Sequence, residues 1–73
     1  MPLIIAPSGK PLRVVKMSVE EKLKMHLANL GILAGAEIVL LSQQNGDVII
    51  KIKDSKLALN KQLATKITVA YGG

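Results

Sequence analysis

The chain has 73 residues and a formal net charge of +5, with ten Lys or Arg against five Asp or Glu, a single aromatic residue and no cysteine. That length has room for one core and one domain, residues 1–73, because so small a protein buries only about 60% of its unfolded surface, and the lack of thiols excludes disulfides, thiolate zinc sites, iron–sulfur clusters and cysteine nucleophiles. Although 49% of the residues are apolar, the longest apolar runs, Leu3 to Ala6 and Ile38 to Leu41, span four residues, against roughly 20 for a membrane-spanning helix.

Leu3 to Ala6 reads as a short strand, followed by the turn-forming Pro7, Ser8 and Gly9 and a second strand from Leu12 to Met17. Ser18 stands three residues before Glu21, the spacing of a capping box, and Glu20 lies where the helix dipole favours negative charge, so a helix is expected from about Ser18. Within it Val19, Leu23, Leu27 and Leu30 fall on one stripe that must be buried, and Gly31 stops the helix after Leu30. Beyond the connection from Ile32 to Gly35, Ala36 to Ser42 reads as a strand and Asp47 to Lys53 as another, joined through Asn45 and Gly46, the strongest short hairpin signal. Val48, Ile50 and Ile52 alternate with Ile49, Lys51 and Lys53, so the first three face inward. Asp54 and Ser55 end that strand and cap a short helical turn holding Leu57, Ala58 and Leu59. The last strand runs from Thr65 to Tyr71, with Gly72 and Gly73 as a frayed end. About five short strands around one helix favour closure, which hides sheet edges. The expected fold is therefore mostly β within the α+β class: a small SH3-like barrel with one helix between its first strands and a short helical turn before its last.

Catalysis has little to stand on. A nucleophile needs a base within reach, and the one histidine, His26, shares the angular sector of Val19, Leu23 and Leu30, where packing is its expected role. A ferrous site wants several converging His and carboxylate ligands, whereas Glu20, Glu21, Glu37, Asp47 and Asp54 are scattered, so no metal site and no cofactor is expected. Ser8-Gly9-Lys10-Pro11 has the outline of a phosphate loop, but Ile4 and Pro11 occupy the positions that need Gly and Ser or Thr, so it reads as a turn. The positive charge attracts an acidic partner or serves as a solubilising face. Nine of the ten basic residues are lysines, and with Tyr71 as the one aromatic the chain lacks both the guanidinium fork and the stacking platform of nucleic-acid binders.

Leu27-Ala28-Asn29-Leu30-Gly31-Ile32-Leu33-Ala34-Gly35, with Ala58-Leu59, Ala64, Ile67 and Val69 downstream, resembles the FeoA family pattern, in which a helix ends in Leu-Gly-Ile or similar, two residues pass, and a Gly leads into a strand. The likeness extends from Leu3 to Val69. Ala34 stands where the family often has Pro, Asp54 where it often has Gly, His26 where it often has Arg, and Gln43 to Gly46 is a tight turn where many members carry a longer Pro-Gly loop. The resemblance implies an SH3-like fold and a non-enzymatic accessory role beside FeoB, a membrane transporter with a cytosolic G domain. On that reading iron reaches the chain only through the transporter, and so does the membrane. The domain type is also similar to the C-terminal module of iron-dependent repressors. No basic segment followed by an apolar run of signal-peptide length is seen, so a cytoplasmic location is expected.

Val15, Val39, Leu41 and Ile49 fall on the outward face of their strands. Either the helix and the N-terminal segment cover them, or part of this surface, with Met25 and Leu33 nearby, receives a partner segment. Self-association and nucleic-acid binding stand as alternatives, told apart by a concentration-dependent mass and by salt dependence.

Overall fold

The computed structural model describes residues 1–72. After a 3₁₀ turn, Leu3–Ile5, the elements are β1 (Pro11–Met17), α1 (Glu21–Asn29), β2 (Glu37–Gln44), β3 (Asp47–Ile52), β4 (Ser55–Leu59), α2 (Lys61–Lys66) and β5 (Ile67–Tyr71). The five strands form one antiparallel sheet in the order β4-β3-β2-β1-β5. The fold is SH3-like and mostly β. Strand pairing does not close the expected barrel, and β4 and β5 remain as edges. Instead, Met1 and Pro2 run beside β5: the Val69 amide donates to the Met1 carbonyl at 2.7 Å, the terminal ammonium donates to Val69 O at 2.8 Å, and Pro2 bridges Thr68. α2 packs on the 3₁₀ turn, β3 and β5.

The Asn45-Gly46 turn forms as expected, with φ of 55° and 89°, and Val48, Ile50 and Ile52 are buried while Ile49 and Lys51 face out. β1 departs from strict alternation, burying Leu12, Val14 and then Met17. The register explains it: Val14 faces Val69 and Lys16 faces Thr68, two steps on β1 against one on β5, which is a bulge. β2 bulges likewise, since Leu40 faces Ile50 and Ser42 faces Ile49, leaving Leu41 in the extra position. The core joins Leu3, Leu12, Val14, Ile32, Ile38, Leu40, Val48, Ile50, Ile67 and Val69, all essentially inaccessible, with no polar or charged residue buried among the described residues. Each such side chain contributes about 1.5–3 kcal/mol on burial.

Several expectations are corrected. Leu3 to Ala6 is not a strand: the amides of Ile5 and Ala6 donate three residues back, to Pro2 and Leu3, so Leu3 and Ala6 turn inward and Ile5 points to solvent. The helix starts at Glu21, not Ser18, because the Ser18 amide donates to Lys66 O at 2.9 Å and extends the β1–β5 pairing. Glu20 is the N-cap, without a side-chain cap bond, so the capping box is absent. Of the helical stripe, Leu27 is buried and Val19 and Leu23 are half-buried against the core, but His26, inside the helix, and Leu30, its C-cap, are exposed.

Leu57, Ala58 and Leu59 belong to β4, not to a helical turn, and the short helix lies further on, where the Asn60 side chain accepts from the Leu63 amide at 2.8 Å. Thr65 is in that helix, its hydroxyl donating to Lys61 O at 2.8 Å, so the last strand begins at Ile67. Gly72 is not frayed, as its amide donates to Pro11 O at 2.9 Å, and Gly73 lies outside the described residues.

Candidate functional site

Gly31 shapes the first candidate region. It takes φ +98°, its amide donates to Ala28 O and the Ile32 amide donates to Leu27 O, both at 2.9 Å, which is the Schellman arrangement. Ile32 and Leu27, the pair this motif brings together, are both buried. The chain then returns through Gly35, at φ +92°, whose amide donates to Val14 O at 2.8 Å. Between this connection and the β3–β4 turn lies an open cleft of about 650 Å³, lined by Gly31, Leu33, Ala34, Gly35, Ile52 and Lys53 among others. Half of its lining is Gly or Ala, and of its two large apolar side chains Leu33 is 48% exposed and Ile52 is buried.

The second region is the outer face of β2, β3 and β4. Ile49 and Lys51 point away from the core, and residues directly opposite them share that face. Ile49 faces Ala58, and Lys51 stands between Val39 on β2 and Lys56 on β4. Leu41, at the β2 bulge beside Ile49, is 39% exposed and Ile49 is 42% exposed, while Val39 is half-buried. Val15, at the β1 bulge, is also exposed, so α1 and the N-terminal segment leave Val15, Leu41 and Ile49 uncovered.

The structure thus brings Val39, Leu41 and Ile49 together and sets Leu33 in the separate cleft. Met25 joins neither: it is 66% exposed on α1, and the helix lines the cleft with Ala28 and Asn29. Ala58 and Lys56 on the sheet face were not legible as neighbours, because β4 read as a helical turn. The alternation of Leu57 and Leu59 with Lys56 and Ala58 was the signal that could have shown it. Of the remaining motif residues, Ala64 is buried in α2, Leu59 ends β4 against the core, and Gly46 holds the hairpin turn.

Among the described residues, no three His, Asp or Glu side chains stand close enough to hold a metal ion, and no helix is long and apolar enough to cross a membrane. Asp47 is engaged in structure, its Oδ1 accepting from the Lys61 amide at 2.8 Å.

Comparison with known proteins agrees with this architecture. The FeoA domain model matches residues 1–71. A protein of Methanocaldococcus jannaschii, named as a candidate Fe(2+) transport protein A, is 36% identical over 75 aligned positions that cover 99% of this chain and 92% of the relative. The solution structure of the FeoA protein from Chlorobium tepidum superposes with a TM-score of 0.86 at 22% identity, over 97% of this chain and 70% of that one. A manganese-dependent transcriptional repressor shares the fold at a TM-score of 0.81 and 18% identity, this chain matching 40% of its length. With a domain model spanning nearly the whole sequence and a relative above 30% identity along it, the chain belongs to the FeoA family.

Proposed function

We propose that the chain is a non-enzymatic, cytoplasmic accessory protein of ferrous iron uptake that acts by binding a FeoB-type membrane transporter. The observation that carries this reading is the FeoA-domain match over residues 1–71, supported by a relative named for Fe(2+) transport. The exposed side chains favour binding over chemistry: large apolar groups stand on a sheet face and beside a cleft, and the one imidazole, His26, lies on an exposed helical position. In this role iron is the transporter's cargo, and the chain needs no cofactor of its own. Met25, Leu33, Val39, Leu41 and Ile49 are the candidate contacts.

The test is a backbone amide titration by NMR, at physiological salt, with the cytosolic part of the same organism's ferrous-iron transporter and then with the full-length transporter. Saturable shifts confined to one surface are the expected result. Unchanged spectra with both would overturn the reading.

A further inference from the structure

The outer face of β2–β4 holds two lysines in a position that folding does not favour. Lys51 and Lys56 are directly opposite each other on adjacent strands, and the other cross-strand neighbour of Lys51 is Val39. Like charges placed this way destabilise a sheet. The carboxylates on the same face stand opposite other residues or are engaged elsewhere: Glu37 is in register with Arg13 across β1 and β2, and Asp47 accepts from the Lys61 amide. Asp54 lies beyond the strand, in the β3–β4 turn. Beside the lysines stand Leu41, Ile49 and Ala58, all exposed.

We propose that this face is a docking site for an acidic segment of another protein, whose carboxylates lie between Lys51 and Lys56 and whose apolar side chains seat on Val39, Leu41, Ile49 and Ala58. Charge complementarity selects the occupant, because a carboxylate placed there removes the repulsion that the free protein carries. A lipid surface fits less well, since the apolar groups lie on the plane of a sheet rather than on a projecting loop, and Val39 is half-buried. The inference deepens the protein-binding reading above by naming the surface and the chemistry of the partner.

The test uses the whole chain and amide NMR with three probes: the cytosolic part of the transporter, a synthetic peptide alternating Glu and Val, and phosphatidylglycerol vesicles. The peptide is expected to shift the amides of Val39, Ile49, Lys51, Lys56 and Ala58, and the paired substitution K51E/K56E, which keeps a like-charge pair and hence the fold, is expected to weaken it at least about tenfold. The single change Lys51→Glu is expected to raise Tm while weakening the peptide, a combination that a purely structural role for the lysine does not produce.

If the peptide binds there but neither the cytosolic part nor the full transporter binds anywhere, this surface stands and the transporter reading falls. If the transporter shifts only the cleft around Leu33 and the peptide leaves the sheet face unmoved, the transporter reading stands and this inference is overturned. Vesicles shifting the same amides as strongly as the peptide would also overturn it.

Discussion

A Cβ added to Gly31 would stand 3.3 Å from Cδ1 of Ile52, at a backbone φ of +98°. The end of α1 and the inward face of β3 therefore meet at a position where the backbone conformation disfavours a side chain and the contact with Ile52 is tight. Gly31→Ala is expected to lower stability by about 1–2 kcal/mol from the left-handed backbone alone, and by more if Ile52 cannot shift. Gly35→Ala, at φ +92° with no atom within 4 Å, carries the conformational term without the clash. Thermal unfolding of the two variants separates the contributions, and the larger loss is expected for Gly31.

The helix caps make a contrasting pair. Asn60 accepts from the Leu63 amide, whereas Ser18 contributes its own amide to Lys66 O and no side-chain bond to α1. Asn60→Ala is expected to cost about 1 kcal/mol. Ser18→Ala should change stability by less than about 0.5 kcal/mol, as exposed substitutions away from such features do. Urea midpoints of the two variants check this, and equal losses would contradict the placement of the helix start.

Lys53 sits at φ +54°, a conformation that glycine and asparagine take more readily than lysine. Lys53→Gly is expected to stabilise the protein by about 0.5–1 kcal/mol, the relief of left-handed strain exceeding the added flexibility of the unfolded chain. The gain is read as a higher denaturation midpoint at unchanged m-value.

Leu27 and Leu30, both in the stripe that the helical period defines, have opposite surroundings: the first is 2% exposed, the second 42%. Leu27→Ala is expected to cost about 2–4 kcal/mol, as deletion of buried methyl groups does, and Leu30→Ala less than about 1 kcal/mol. If Leu30→Ala is the more damaging, the helix end is misplaced.

The outer-face residues were partly legible. Ile49 is outward because Val48 and Ile50 are inward, and that follows from the period of a strand. The grouping of Ile49 with Leu41 and with Lys56 was not legible, because it depends on a bulge and on a strand that pairs across the sheet. Met25, Leu33 and Leu41 are all exposed apolar residues, and no local pattern distinguishes one that shares a surface from one that stands alone.

What the sequence determined by itself is what a few neighbouring residues decide: the Asn45-Gly46 turn, the arrest of α1 at Gly31, and the inward set of Val48, Ile50 and Ile52. Its family likeness was legible for the same reason, being carried by residue types and their order. The tertiary structure decided the rest. Ser18 fits a capping box but goes to Lys66 O, and Leu3 to Ala6 has the composition of a strand but forms a 3₁₀ turn. Leu57 to Leu59 similarly pairs with β3 rather than coiling. In each case the local preference is of the same order as a backbone pairing or a buried side chain, so a partner supplied from elsewhere in the fold can set the outcome.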